Sequence, residues 1–91
     1  MDIWKLLIEN QDKIFFTVQG LKFTYRIKGY EMFVSRKEKS ITFSTVKKAY
    51  ERAMELQREK IIITGPKKLG DFVGSSYLYP IFIELGIIKG L

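Results

Sequence analysis

The 91-residue chain contains no cysteine and no histidine. The first absence removes disulfides, thiolate metal sites and cysteine nucleophiles together, and it suits a reducing compartment. The second removes the commonest general base and the commonest metal ligand. No long hydrophobic run is present either. The most apolar stretch, around Tyr77 to Leu85, is about half the roughly 20 residues that cross a bilayer. The N-terminal "MDIWKLLIENQD" carries Asp2 and Glu9 but neither a basic leader nor a small-residue cleavage site, so no signal peptide is expected. Together these absences predict a soluble, cytoplasmic protein.

What the chain does have is apolar mass and positive charge. A hydrophobic content of 46% with 14% aromatics suffices for one compact domain over residues 1–91. The net charge of +6 is unevenly spread. Between Lys22 and Lys68 thirteen Lys/Arg stand against five Asp/Glu, a net of +8, whereas the two flanks together hold three against five, a net of −2. A polyanion would therefore be held by the middle of the chain.

Hydrophobic periodicity predicts an α+β domain. Asp2 is placed to cap a helix through about Asn10, with Ile3, Trp4, Leu6, Leu7 and Ile8 on a broad apolar face. From Lys13 the period changes to two. "KIFFTVQG", "LKFTYRIKG" and "YEMFVSRK", punctuated at Gly20 and Gly29, predict a meander of three antiparallel strands, and "KSITFS" predicts a fourth. In "STVKKAYERAMELQRE" Val46, Ala49, Tyr50, Ala53 and Met54 fall at helical spacing, with Ser44 or Thr45 as cap. "KIIITG" is a continuous apolar run that predicts a strand buried on both faces, a fifth for the sheet. A last helix closed by Gly86 completes the order α-β-β-β-β-α-β-α, with helices on one face of a small sheet.

The segment "TGPKKLGDFVGSSYLYP" (residues 64–80) superficially resembles a phosphate loop. A Walker-type loop needs Lys-Ser or Lys-Thr directly after its second glycine, and here Asp71 and Phe72 follow Gly70. The nucleotide reading fails. Pro66 instead predicts the first residue of a short helical turn capped by Thr64 or Gly65. Gly74 then predicts a tight reversal, and Ser75 or Ser76 a cap for the last helix. Pro80 belongs in a first turn, which sets the start of that helix near Tyr79. The helix carries Glu84 as its only charge, so it is no recognition helix. It is expected to be core or a partner surface, with Tyr77, Tyr79, Phe82 and Ile83 as the anchors and the tail "GIIKGL" adding apolar area.

Three basic groups are candidates for phosphate contact. On the second predicted strand Leu21, Phe23, Tyr25 and Ile27 point to the helices, leaving Lys22, Thr24, Arg26 and Lys28 on a solvent face flanked by Thr17, Gln19, Glu31, Ser35 and Thr42. Lysine and arginine suit phosphates and guanine edges, and a ribbon of strands fits a major groove. Lys47 and Lys48 fall near the start of the central helix, where cations oppose the helix dipole by a few tenths of a kcal/mol. With the free N–H groups there they would form an anion site, extended by Arg36, Lys37 and Lys39 in the preceding turn. Lys67 and Lys68 form the third group.

Three strands followed by "FSTVKKAYERA" resemble, in architecture, the sheet-plus-helix DNA-binding domains of plant transcription factors and of transposon integrase arms. "GPKKLGDFVGSSYLYPIF" with the upstream "SRKEKSIT" resembles a set of small bacterial proteins, some from mobile elements. That second likeness implies no activity, ligand or site residue. No catalytic residue, cofactor site or metal site is expected: Asp12, Glu31 and Asp71 are tied by no motif, and Ser75 and Ser76 have no histidine partner. Two functions follow from the residues. One is a non-catalytic nucleic-acid-binding domain; the other is a protein-interaction module, homodimeric or bound to an acidic partner, that uses the aromatic C-terminal helix.

Overall fold

A computed structural model of the chain describes residues 2–72 and 74–89. Helix α1 (Ile3–Glu9) starts where its cap predicts, the Asp2 carboxylate accepting the Lys5 N–H at 3.1 Å. Ile3, Trp4 and Leu7 are buried. The Trp4 indole N–H donates to the Gly29 carbonyl at 3.1 Å, and its ring meets Phe43 edge-on with centroids 5.1 Å apart. The helix is thereby fastened to a strand turn and to the start of the next helix.

The fold is α+β. Five short strands follow: β1 (Phe15–Phe16), β2 (Lys22–Phe23), β3 (Tyr25–Lys28), β4 (Glu31–Val34) and β5 (Ile41–Thr42). Neighbours pair antiparallel, as the alternation predicts, but they form two sheets, β1-β2 and β3-β4-β5. The predicted second strand is divided at Thr24. Phe23 pairs with Phe15, whereas the Thr24 N–H donates to the Ser35 hydroxyl at 3.0 Å and its carbonyl accepts the Ser35 N–H at 2.9 Å. Phe23 and Tyr25 are buried and Ile27 is half-buried, but Leu21 is 43% exposed. Leu21 lies in the hairpin turn, its N–H held by the Thr17 hydroxyl, outside the cover of the helices. The Tyr25 hydroxyl donates to the Leu7 carbonyl at 2.6 Å, and burial pushes its pKa well above the ordinary tyrosine range.

Strand β5 runs directly into α2 (Phe43–Arg58). Its cap is Thr42 rather than Ser44 or Thr45, the Thr42 hydroxyl accepting the Thr45 N–H at 3.3 Å. Val46, Ala49, Ala53 and Leu56 form its buried stripe. At its end Lys60 takes the left-handed conformation (φ 60°), with Lys60 N–H bonded to the Gln57 carbonyl and Ile61 N–H to Leu56. That pair of bonds is the Schellman arrangement.

"KIIITG" forms no strand. Ile61 and Ile62 are exposed and only Ile63 is buried. The segment begins inside the helix-closing turn, and no strand edge pairs with it among the described residues. A 3₁₀ turn, Pro66–Leu69, then starts at Pro66 with Gly65 as cap, as predicted.

Helix α3 (Ser75–Glu84) begins four residues before Tyr79 and continues through Pro80. Proline there leaves the Ser76 carbonyl without its helical donor, but Ser76 lies in the exposed first turn, open to water. Neither serine caps the helix. Ser75 is buried and its hydroxyl donates back to the Phe72 carbonyl at 2.9 Å, while Gly74 occupies the cap position. Gly74 has an ordinary φ of −81°, so it makes no special reversal. It is required for space: a Cβ there would stand 2.7 Å from Ile41 Cδ1. Gly86 (φ 77°) closes the helix with the same two bonds seen at Lys60, to Ile83 and Phe82. Ile87 and Ile88 are buried, and Gln57 holds the tail through the Ile87 carbonyl and the Lys89 N–H. Gly90 and Leu91, the end of the apolar tail, lie outside the described residues. Among the described residues no helix is long and apolar enough to cross a membrane.

Candidate functional site

The solvent face predicted for the second strand does not form one basic ribbon. Lys22, Arg26 and Lys28 are exposed and Thr24 is half-buried, but Lys22 belongs to β2 and the other two cations to β3, in a different sheet. Arg26 Nε lies 3.0 Å from Asp12 Oδ1. Lys28 stands opposite Glu31, which also accepts the Ser40 hydroxyl at 2.6 Å. Phe33, 44% exposed, stands opposite Arg26. Glu31, Ser35 and Thr42 do flank the β3 face, but Thr17 and Gln19 belong to the β1-β2 hairpin. Of the two cations on β3, Arg26 is ion-paired with Asp12, whereas Lys28 has Glu31 as its cross-strand neighbour without an ion pair among the described residues.

The helix-start site is corrected as well. With Thr42 as cap, Lys47 and Lys48 are the fifth and sixth residues of α2, beyond the free N–H groups of its first turn. Both are exposed, on the solvent side shared with Glu51 and Glu55.

Two other basic segments, distant in sequence, are brought to a common neighbour. The β4–β5 turn holds Arg36, Lys37 and Lys39, and Lys37 Nζ donates to the Lys39 carbonyl at 2.7 Å. The Tyr77 hydroxyl reaches the Arg36 carbonyl at 3.5 Å. The 3₁₀ turn packs on α3 and carries the exposed Lys67 and Lys68. Its Pro66 shares a cleft of about 350 Å³ with Ser76, Tyr77 and the hairpin residues Thr17, Val18, Gln19 and Leu21. Tyr77 is held in turn by Phe23, the rings edge-on at 5.1 Å. The ion pairs among the described residues are Arg26–Asp12 and Arg52–Glu55, and neither uses these cations.

The predicted partner anchors divide. Phe82 is fully buried against Tyr50 and Ile63's cluster, so it is core and unavailable to a partner. Tyr77, Tyr79 and Ile83 are half-buried. Tyr79, Pro80, Ile83 and Glu84 form one wall of a groove of about 510 Å³ whose other wall is Ile14, Phe15, Phe16 and Val18. Ile14, Phe16 and Val18 are exposed at 57, 57 and 67%. Simple alternation does not predict this exposure of three apolar side chains. The available signal was "KIFFTV", where apolar residues occupy both parities of a strand that has helices on one side only.

The remaining chemistry-bearing groups are dispersed. Asp12 serves Arg26, Glu31 serves Ser40, and the Ser75 hydroxyl is engaged by Phe72. Among the described residues no group of carboxylates is arranged to hold a metal ion. No protein-family model matches the chain, and neither a curated protein nor a solved structure matches it.

Proposed function

We propose that the chain is a small, non-catalytic domain that binds nucleic acid through phosphates, at the end of the molecule where the β4–β5 turn and the 3₁₀ turn both adjoin Tyr77. The observation that carries this reading is that both basic turns adjoin that tyrosine, one through the Arg36 carbonyl and the other through Pro66, which precedes Lys67 and Lys68, and that their cations are free of ion pairs among the described residues. Segments 36–39 and 67–71 carry five Lys/Arg against two acids, Glu38 and Asp71. Lys22, next to Leu21 at the margin of the same cleft, extends the surface. Lys47 and Lys48 are peripheral to it. Arg26 and Lys28 contribute least, because Arg26 is already paired with Asp12 and Lys28 has the Glu31 carboxylate on the neighbouring strand. Contacts of this kind release counterions, so each phosphate neutralised lowers the slope of log K against log salt by about 0.9.

The test is fluorescence anisotropy with mixed-sequence duplex DNA at low and then physiological salt. The expected result is salt-sensitive binding that is lost in Arg36→Ala/Lys67→Ala/Lys68→Ala and retained in Arg26→Ala/Lys28→Ala. Loss only in the second variant would return the site to the sheet face, and no binding at low salt would overturn the reading.

A further inference from the structure

The groove between β1 and α3 is made of different chemistry from the basic end, and its geometry specifies what fits it. Thr17 donates its N–H to the Leu21 carbonyl and Phe15 is paired with Phe23. In an antiparallel ladder hydrogen-bonded and non-bonded positions alternate. The backbone groups of Phe15 and Thr17 thus turn toward β2 and those of Phe16 turn outward, while Val18 lies in the β-turn closed by the Gly20 N–H on the Thr17 carbonyl. Nothing else pairs with β1: it is an edge of a two-stranded sheet, and among the described residues Ile14 and Val18 have no backbone hydrogen bond. Edge strands usually carry a lysine, a proline or a bulge that repels further strands. Residues 14–18, Ile-Phe-Phe-Thr-Val, carry neither charge nor proline.

The far wall of the groove is also apolar except at one place. Tyr79, Pro80 and Ile83 face Ile14, Phe15, Phe16 and Val18, and Glu84 is the single charged residue of the lining. The half-buried Tyr79 ring is kept in place by its hydroxyl, which reaches the Ile63 carbonyl at 3.4 Å.

We propose that this groove is a docking site for an extended, apolar segment of another protein, added as a strand to the free edge of β1, with a lysine or arginine where it passes Glu84. The outward backbone groups require an extended occupant, the two apolar walls require alternating apolar side chains, and the lone carboxylate selects a cation over an anion. The groove touches the proposed phosphate-binding end only at Val18, and the two are probed by different ligands, so either can fail without the other.

The probe is a labelled ten-residue peptide of alternating valine and threonine with one central lysine, beside versions with glutamate or glutamine in its place. Binding is followed by anisotropy and by amide chemical shifts of the labelled protein. The expected result is saturable binding of the lysine peptide, with shifts at residues 14, 16, 18 and 79–84, at least tenfold tighter than the glutamate peptide. Glu84→Gln should abolish that preference, and N-methylation of alternate peptide amides should abolish binding. Absence of shifts at millimolar peptide in all three versions, or shifts confined to other residues, overturns the proposal. So does concentration-dependent self-association in sedimentation that perturbs the same amides, because the occupant is then a second copy of this chain.

Discussion

The two sheets of this small fold treat their outward faces in opposite ways. On β3 and β4 the outward positions hold Arg26, Lys28, Glu31 and Phe33, with Arg26 paired to Asp12 and Lys28 set across from Glu31. On β1 and its two flanks Ile14, Phe16 and Val18 stand exposed, uncovered among the described residues. A charged face that balances itself is finished, because water and its own counter-charges satisfy it. An apolar face with free backbone groups on an open edge is unfinished, and it is the place to look for a partner. The difference also shows why net charge misleads at this scale: a strand reading Lys-Phe-Thr-Tyr-Arg-Ile-Lys looks basic until the acids opposite it are located.

The contrast is broken most severely from inside the hairpin. Phe23 is 1% exposed and stacks on Phe15 with centroids 5.8 Å apart, so Phe23→Ala should cost about 3–5 kcal/mol. Urea unfolding checks this, and Phe16→Ser, on the opposite face of the same hairpin, should stay within about 0.5 kcal/mol. Next is the join between the three-stranded sheet and α3. Gly74→Ala forces a methyl toward Ile41 Cδ1 and should destabilise by about 1–3 kcal/mol. Ile41→Val in the same chain removes that Cδ1 and should recover part of the loss.

Tyr25 sits where the divided strand resumes. Tyr25→Phe removes the bond to the Leu7 carbonyl and should cost about 1 kcal/mol. The pKa of this hydroxyl is raised in the folded state above its unfolded value near 10. Its contribution is therefore whole below about pH 10 and is lost as the pH rises beyond it. Unfolding followed from pH 8 to 11 should fall less steeply for Tyr25→Phe than for the parent chain. The smallest effect belongs to the balanced face. Asp12→Asn keeps a residue type that tolerates the left-handed backbone (φ 66°) while removing the exposed pair with Arg26. Its stability change should be at most about 0.5 kcal/mol. A larger change would mean that the pair holds α1 to β3 rather than merely neutralising a charge.

Legibility in the sequence followed the range of the interaction. Residues that act on their own backbone were readable: Asp2 as a cap, Pro66 as the start of a short turn, Gly86 as the close of α3, and the two amphipathic periods. The candidate site was readable only as a list of cations. Nothing local to Arg26 announces Asp12, fourteen residues earlier. Nothing in "SRKEK" or "GPKK" says that both meet Tyr77.

The two helix ends state the division most plainly. Gly86 and Lys60 take the same left-handed conformation and close their helices with the same bonds. Glycine declares that conformation in advance, because it alone adopts it without strain. Lysine does not, and at α2 the closure is flanked by the buried Leu56 and Ile63. By itself the sequence determined the α+β class, the order of helices and hairpins, and the glycine and proline boundaries, since these rest on dihedral preference and on which face of an element is apolar. Tertiary structure decided the break at Thr24, the failure of Ile61–Ile63 to become a strand, the passage of α3 through Pro80, and the exposure of Ile14, Phe16 and Val18. Each of these depends on whether a partner edge, a counter-charge or a covering helix is present at that place, and only the folded chain supplies the answer.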